Sequence, residues 1–274
     1  MESSRSDNRL PFTLGWEASG VVIQAPHESK FAVGQTVVSL SFGVYAERFV
    51  ANPLLTFPLP KNFSHEEGAA FPLNYLTALA GLDFRGALRR DESLLVLGAA
   101  GGVGSAAIQV GKALGASVTA LVSNESKAVL AMEAGADDFV LSDPGWNETL
   151  KSQRRTFDMV FDPVGGDLSE NALRTLSSRG RLIVIGFASG RIPTLALNRL
   201  LLRNTDVRGC SWSVLSERAG GFESAGTQLG QWAEAGAIVP KIGEKYAFEN
   251  LMDALSALDE RRAIGKQVLL ADIR

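Results

Sequence analysis

Residues 94–107 read LLVLGAAGGVGSAA, an apolar run that enters a glycine cluster and continues as an alanine-rich segment. The pattern predicts a buried strand, a tight turn and the first turns of a helix, in that order. A helix that begins at such a turn presents backbone N–H groups at the positive end of its dipole, where a pyrophosphate can bind. The stretch therefore predicts a dinucleotide site. Gly101 would let the backbone approach the pyrophosphate, and Gly104 would let helix and strand pack closely.

The composition is that of an ordinary globular protein, with 46% apolar and 21% charged residues in a chain of 274. The formal net charge of −3 offers no basic excess for nucleic acid or an anionic membrane. No run of about 18 apolar residues predicts a membrane span. The polar N-terminus lacks the apolar core of a signal peptide, and the single cysteine, Cys210, allows no intrachain disulfide. We expect a cytoplasmic protein without nucleic-acid or membrane partners.

Short apolar runs alternate with helix-compatible segments after residue 93. Nearly continuous apolar runs are typical of strands covered on both faces, and the alternation predicts right-handed βαβ units. The expected fold class is therefore α/β, with a doubly wound parallel sheet in a nucleotide-binding domain over residues 73–235. The six candidate strands are 94–98, 117–122, 138–142, 158–162, 181–187 and 205–210.

The two ends of the chain have a different, β-rich pattern. Ser64 and Glu67 form a capping box ahead of an apolar helical segment, and residues 248–258 mark one helical face. Residues 45–50 alternate apolar and polar side chains, which predicts a half-buried antiparallel strand. The other candidate strands of the ends are 20–23, 33–40, 238–239, 246–248 and 268–270.

The residues after the second strand of the alternating region indicate which dinucleotide binds. An NAD site usually has Asp or Glu there, whereas this strand ends at Ser123, followed by Glu125 and Lys127. Ser123 can hydrogen-bond a 2′-phosphate and Lys127 can neutralise it, so NADP(H) is favoured. Two alternatives remain. Glu125 could bind the ribose of NAD, although the first turn of a helix also favours an acid, and Ser123 could merely cap the helix.

Several motifs together resemble the medium-chain dehydrogenase/reductase superfamily. Residues 11–22 are similar to its signature P-x-x-x-G-x-E-x-x-G-x-V. The likeness is closest to the zinc-independent quinone oxidoreductase, or zeta-crystallin-like, branch. The resemblance implies a Rossmann NADP-binding domain over 73–235 and a GroES-like catalytic domain from 1–72 and 236–274. The further matching segments are 32–37 (AVGQTV), 98–104 (GAAGGVG), 162–166 (DPVGG), 186–190 (GFASG) and 262–266 (RAIGK).

The resemblance also implies which residues contact NADP(H). Thr77 would contact the nicotinamide half, and Arg261 or Arg262 would approach the cofactor from the C-terminal segment. Ser142 stands where relatives often have a tyrosine, which removes a contact on the adenosine side. The implied cofactor-binding residues are Thr77, Gly101, Gly102, Val103, Gly104, Ser105, Ser123, Lys127, Val164, Gly186, Phe187, Ala188, Ser189 and Arg261.

A metal centre is not expected. Zinc-dependent relatives have a ligand histidine beside the signature glutamate, whereas Trp16 precedes Glu17 here. One cysteine and two histidines, His27 and His65, are too few for a cysteine-rich zinc site. We therefore predict that Glu17 makes structural hydrogen bonds.

The sequence assigns no general acid, and the candidate catalytic residues are Thr77, Asn74 and Tyr45. Asn74 could bind a substrate carbonyl. Tyr45 and Tyr75 could donate a proton, although buried tyrosines with a satisfied hydroxyl are commoner. Cys210, in an apolar strand, is expected to be a core thiol.

The resemblance implies hydride transfer from NADPH to a quinone or an α,β-unsaturated carbonyl, in a homodimer paired along residues 205–212. Only ten residues precede Pro11, whereas relatives have further strands and an asparagine-containing loop there. We expect a naturally shortened form, an alternative start or an incomplete gene model. The alternative function is a catalytically impaired NADPH-binding module or redox sensor.

Overall fold

The computed structural model describes residues 11–260 and 262–271. Its strands form one large sheet and two small ones. The strands are β1 (Glu17–Val21), β2 (Thr36–Leu40), β3 (Thr56–Pro58), β4 (Ser93–Leu97), β5 (Ser117–Val122), β6 (Asp138–Leu141), β7 (Phe157–Asp162), β8 (Leu176–Val184), β9 (Asp206–Gly209), β10 (Ile242–Ala247) and β11 (Lys266–Leu270).

The helices cover both faces of the large sheet and join it to the small ones. A π-helical segment, Ala80–Arg85, continues the second α-helix. No helix in the described part of the chain is long and apolar enough to cross a membrane. The α-helices are α1 (His65–Ala69), α2 (Pro72–Leu79), α3 (Gly102–Ala113), α4 (Glu125–Glu133), α5 (Trp146–Ser152), α6 (Gly166–Leu173), α7 (Asn198–Arg203), α8 (Gly221–Glu234) and α9 (Leu251–Asp259).

The large sheet has six strands in the order β6-β5-β4-β7-β8-β9, and all neighbours are parallel. Strands β5 and β6 therefore follow one another on one side of β4, and β7, β8 and β9 follow on the other side. Ligands of doubly wound sheets bind at the point where this order reverses, beyond the carboxyl end of the first strand. The predicted α/β fold class is confirmed, and β4 is the strand that ends at the glycine turn.

Strand β4 shows why this sheet forms. All four residues from Leu94 to Leu97 are 0% exposed. Because side chains alternate between the faces of a strand, Leu94 and Val96 pack into the core that includes α3 and α4. Leu95 and Leu97 pack into a second core with α5 and α6. The continuous apolar run thus reflects burial on both faces, as the sequence predicts.

The ends of the chain form the small sheets. Strands β1, β2 and β3 are antiparallel, and β10 pairs in parallel with β11. Glu17 connects these sheets to the central part, because its Oε2 accepts from the Leu73 N–H at 2.9 Å and its Oε1 accepts from Lys266 Nζ. The predicted structural hydrogen bonding of Glu17 is confirmed, as is the capping box of Ser64 and Glu67.

Three predictions about local structure are wrong. Residues 45–50 form no strand: the Ala46 N–H donates to the nearby Val44 carbonyl at 2.8 Å, and Val50 is 94% exposed. Residues 238–239 form none either, because the Val239 N–H donates to a side chain, Gln109 Oε1, at 2.5 Å. Cys210 follows β9 instead of lying within it. In the first two cases a short-range or side-chain hydrogen bond replaces a strand ladder, whereas the Cys210 N–H still donates to the Val184 carbonyl at 2.9 Å just beyond β9.

Candidate functional site

The glycine turn follows β4 and leads directly into α3. Gly98 has a φ of +58°, and its carbonyl accepts from the Gly101 N–H at 3.0 Å. A Cβ on Gly104 would lie 2.3 Å from the Gly98 oxygen, so no larger residue fits without movement of the backbone. This is the close packing of helix and strand that the sequence predicts at Gly104.

The N-terminus of α3 has no side-chain cap, as is also true of α2 and of α5 to α9. Ser64 caps α1 and Asn124 caps α4 through their side chains, whereas Gly101 precedes α3 and no side-chain hydrogen bond caps that helix. The first-turn N–H groups, from Gly102 onward, thus begin a helix of 12 residues without a competing side-chain acceptor. Such a terminus suits an anion, because the helix dipole and these donors act together.

Helix α2 places two polar side chains beside this turn. Asn74 is 5% exposed, and its Nδ2 lies 2.8 Å from the position of a Cβ on Gly102. The same Nδ2 donates to the Ala70 carbonyl at 3.3 Å. Thr77 is three residues further along, on the same helical face, and is 7% exposed. The structure thus brings Asn74 into contact with the predicted pyrophosphate loop and places Thr77 one turn away.

The end of β7 meets the turn from the other side. A Cβ on Gly98 would lie 2.8 Å from Val164 Cγ2. Val164 is held by the carboxylate of Asp162, which is 0% exposed and whose Oδ1 accepts from the Val164 and Gly165 N–H groups at 2.9 Å each. The Ser169 hydroxyl donates to Asp162 Oδ2. Sequence reasoning gave Asp162 no role; its position at the start of the DPVGG motif was the available signal.

The turn after β8 is hydrogen-bonded to the turn after β7. The Ala188 N–H donates to the Pro163 carbonyl at 3.1 Å, and the Ser189 N–H donates to the Val164 carbonyl at 2.9 Å. The ring of Phe187 lies 2.9 Å from the position of a Cβ on Gly165 and is 43% exposed. Residues 186–189 and Val164 therefore form one continuous surface.

Ser123 and Lys127 meet at the end of β5. Lys127 Nζ donates to Ser123 Oγ at 3.1 Å; Ser123 is exposed and Lys127 is half-buried. The cap of α4 is Asn124, whose Oδ1 accepts from the Lys127 N–H at 3.0 Å. The alternative in which Ser123 caps this helix is therefore wrong, and its hydroxyl faces an ammonium group. Glu125 is the first residue of α4, where its charge favours the helix dipole.

A cleft of about 470 Å³ opens between the glycine turn and the C-terminal segment. Ala100 and Ser105 line one side, and Arg262 lines the other. The Arg262 Nε donates to the Glu260 carboxylate at the cleft. The structure therefore places Ser105 and Arg262 around one cavity; Arg261 lies outside the described residues.

Two of the groups considered as proton donors or nucleophiles are protonated at neutral pH. The Tyr75 hydroxyl donates to Gln109 Oε1 at 3.2 Å, and burial raises the pKa of Tyr75 far above its usual value. Burial also raises the pKa of the Cys210 thiol to about 11, which disfavours the nucleophilic thiolate. Tyr45 packs its ring against Gly15, where a Cβ would lie 2.4 Å from Tyr45 Cδ1.

The described residues contain no group of three or more His, Cys, Asp or Glu side chains that could hold a metal ion. His65 Nδ1 lies 2.9 Å from Ser19 Oγ, and His27 is exposed. Trp16 is 56% exposed at the position where zinc-dependent relatives would have a ligand.

Comparison with known proteins agrees with this arrangement. Residues 102–222 match the family described as zinc-binding dehydrogenase. Quinone oxidoreductase-like protein 2 of Bos taurus is 34% identical over 272 residues, which cover 96% of this chain and 77% of that protein. A mycobacterial protein solved in complex with NADPH superposes with a TM-score of 0.88 at 29% identity, covering 98% of this chain and 85% of the other.

A second solved structure is the quinone oxidoreductase of Thermus thermophilus, which was also determined with NADPH. It is 33% identical, has a TM-score of 0.77 and covers 93% of this chain and 80% of its own. The sequence motifs, the strand order that reverses at β4 and the similarity to the bovine protein all indicate the same family. The chain belongs to the quinone oxidoreductase-like branch of the medium-chain dehydrogenase/reductase superfamily and is an oxidoreductase.

Proposed function

We propose that this chain binds NADPH at the glycine turn and reduces quinones or α,β-unsaturated carbonyl compounds without a metal. The observation that carries the proposal is the start of α3, where no side chain caps the helix and Gly98 and Gly104 are in close contact. This terminus fits a pyrophosphate in the way expected of a dinucleotide fold. Solved relatives with NADPH support the same cofactor.

The Ser123–Lys127 pair supports NADPH over NADH. A 2′-phosphate carries two negative charges at most, and a hydroxyl with an adjacent ammonium supplies a donor and a countercharge. Asn124 satisfies the helix end, so neither group is needed as a cap. Glu125 is held at the dipole of α4 and is the weaker candidate for ribose binding.

Bound NADPH supplies a hydride, that is two electrons and one proton, and a proton from solvent completes the reduction of a quinone to a hydroquinone or of an enone to a ketone. The first-turn N–H groups of α3 would hold the pyrophosphate. Val164 and Phe187 would form an apolar wall that limits the access of water to the nicotinamide side. Asn74 Nδ2 lies beside the turn and has a second hydrogen to donate in addition to its bond with the Ala70 carbonyl. Trp16 in place of a ligand histidine supports a reaction without zinc.

The test is a titration of the purified chain with NADPH and with NADH, followed by fluorescence. A quinone or an enone is then added, and loss of absorbance at the nicotinamide band is measured. We expect tighter binding of NADPH and its oxidation on addition of acceptor. Binding without oxidation across several quinones and enones would instead favour an NADPH-binding module or redox sensor, and no binding of either dinucleotide would refute both functions.

We also propose that the chain forms a homodimer along β9. In the described residues β9 pairs with β8 alone and is the last strand of the sheet, so its outer backbone groups are open to a second strand. The nearby α7, which packs on β8, exposes Leu201 and Leu202 by 77% and 78%. Sedimentation velocity should give twice the monomer mass, and a double L201D/L202D variant should sediment as a monomer.

A further inference from the structure

A buried glutamine on α3 holds the connector that runs from α8 to β10. This connector, residues 235–241, contains no strand or helix. Gln109 is 5% exposed, and its side chain bonds to both backbone groups of Val239. The Val239 N–H donates to Gln109 Oε1 at 2.5 Å, and Gln109 Nε2 donates to the Val239 carbonyl at 3.0 Å. The amide therefore satisfies the two groups that a neighbouring strand would otherwise satisfy.

The same side chain also connects α3 to α2. Gln109 Oε1 accepts a second hydrogen bond, at 3.2 Å, from the hydroxyl of Tyr75, which is 1% exposed. Tyr75 follows Asn74, the residue whose Nδ2 lies beside Gly102. Gln109 itself lies about two turns along α3 from Gly102. One amide thus links the two helices that border the glycine turn to the connector.

The connector leads into the C-terminal wall of the cleft of about 470 Å³, that is, the side lined by residues from 241–246 and 257–267. Pro240, whose ring fixes φ, separates Val239 from Lys241, where this wall begins. The Lys241 carbonyl accepts from the Lys266 N–H at 2.9 Å, at the start of β11. Because Pro240 also restricts the backbone of the residue before it, the position of Val239 determines where β10 and β11 begin.

Gln109 contributes direction as well as volume. Burial of an amide costs free energy unless it is hydrogen-bonded, so an apolar side chain of similar length would fill the same space at lower cost. Hydrogen bonds, in contrast, fix distances and angles, which apolar packing does not. Three of them converge on this side chain, one with Tyr75 and two with Val239. They hold α3 and the C-terminal wall in one relative position.

We propose that Gln109 is a positioning residue, which couples the glycine turn to the C-terminal wall of the cleft. The proposal rests on the proposed function and concerns how the two sides of that site are held together. The phosphates of NADPH fix the start of α3, and the helix in turn fixes Val239 through Gln109. The wall is thereby held against the bound dinucleotide, and the nicotinamide is held in one position relative to the acceptor. Gln109 acts through Val239 and needs no contact with the cofactor itself.

The first variant is Gln109→Met, which keeps the length of the side chain and removes its hydrogen bonds. It is studied at a temperature at which circular dichroism shows that it is folded. The Kd for NADPH should rise about tenfold and kcat should fall about tenfold, because the wall no longer follows α3. KM for phenanthrenequinone should change by less than about twofold, because the groups proposed to face the acceptor are unchanged.

Asn62→Ala is the matched control. Asn62 Nδ2 donates to the Ala233 carbonyl of α8 at 2.8 Å, so this bond also joins distant segments but does not involve the connector. Its loss should lower the midpoint of urea unfolding and leave Kd and kcat within about twofold of wild type. The comparison separates a loss of stability from a loss of position.

Gln109→Glu provides a rescue that depends on pH. A protonated carboxylic acid keeps an acceptor for the Val239 N–H and supplies an O–H donor for the Val239 carbonyl, whereas a carboxylate has no donor. Burial raises the pKa of such a group, and the negative charge of Glu67, which acts on Tyr75, favours the same protonated form. Relative to wild type at each pH, the NADPH affinity of Gln109→Glu should therefore recover as the pH falls from about 8 to about 6. Gln109→Met should show no such recovery.

The outcomes separate the two proposals. If wild type binds NADPH but oxidises it with no acceptor, the proposed reduction fails, while a rise in Kd for Gln109→Met still supports the coupling. If wild type is active and Gln109→Met changes only the unfolding midpoint, the coupling is overturned and the function is retained. The same conclusion follows if Asn62→Ala raises Kd as much as Gln109→Met does, or if Gln109→Glu shows no recovery at low pH. If wild type binds no NADPH, both proposals are refuted.

Discussion

Arg181 and Glu92 form an ion pair at one end of the large sheet. Nη2 and Oε2 are 2.5 Å apart, and the side chains are 9% and 22% exposed. The guanidinium also donates to the carbonyls of Gly86, Ala87 and Asp158, at 2.5, 3.0 and 3.2 Å. Arg181 therefore connects β8 to the segment before β4, at the end of the sheet opposite the glycine turn.

Replacement of Arg181 by methionine should lower the free energy of unfolding by about 3 kcal/mol, because Glu92 and three carbonyls lose a buried partner. Urea denaturation measures the change. K151M is the control, since its pair with Glu148 has side chains 74% and 57% exposed. That change should stay within about 0.5 kcal/mol. Equal effects of the two substitutions would contradict a structural role for Arg181.

The same network gives the stability a pH dependence. Partial burial opposes ionisation of Glu92, but hydrogen bonds from Arg181 and from the Arg89 N–H outweigh it and lower the pKa of Glu92. Likewise, burial opposes ionisation of Asp158, while bonds from Ser93 and Ser177 and the Arg181 charge lower its pKa. Both pKa values are lower in the folded state, so this stabilisation is complete above about pH 5 and is lost as the pH falls below about 4.

Urea melts between pH 7 and pH 3 test this dependence. The free energy of unfolding should fall more steeply below about pH 4.5 in wild type than in Arg181→Met, which has already lost the ion pair. Parallel pH curves for the two proteins would show that the network does not contribute.

A Cβ at residue 102 should interfere with Asn74. Gly102→Ala places a methyl group 2.8 Å from Asn74 Nδ2, so either the amide or the start of α3 must move. We expect NADPH to bind about tenfold more weakly, as measured by fluorescence titration. Asn74→Ala in the Gly102→Ala background should restore part of the affinity, which a double-mutant cycle detects. Gly230→Ala is the control, because nothing lies within 4 Å of its Cβ position.

Lys127→Ala should weaken NADPH binding about tenfold and leave NADH binding nearly unchanged, because only NADPH carries the 2′-phosphate. The Lys127 backbone N–H still bonds to Asn124, so the helix cap is preserved. Glu125→Gln serves as the neighbouring control. Equal weakening of NADPH binding and NADH binding by Lys127→Ala would show that the ammonium group does not contact the 2′-phosphate.

Prediction succeeded where one local sequence pattern determines both which side chains are buried and which backbone conformation the segment adopts. Residues 94–107 encode a strand buried on both faces, a turn that needs glycine and a helix, and the structure contains each of them. Residues 45–50 show the opposite case, since their alternation resembles a strand while hydrogen bonds to Val44 and Leu14 impose a bend. An alternating pattern indicates which side chains prefer burial. It does not indicate which groups the backbone N–H and C=O of the segment will bond to.

The residues that sequence reasoning missed act through contacts between distant segments. Asp162 organises the turns after β7 and β8 through backbone N–H groups that become neighbours only in the folded chain. The helix cap was assigned to Ser123 as one alternative, although Asn124 provides it one residue later. Both are questions of hydrogen-bond geometry, and residue type alone leaves them open.

The ion pair of Glu17 with Lys266 joins residues 249 positions apart. The loop that it closes contains all six strands of the large sheet. Closure of so long a loop is entropically costly until the intervening chain has become compact. We therefore expect the segments around Glu17 and Lys266 to come together after the central sheet has folded, and to be the first to separate when the protein begins to unfold.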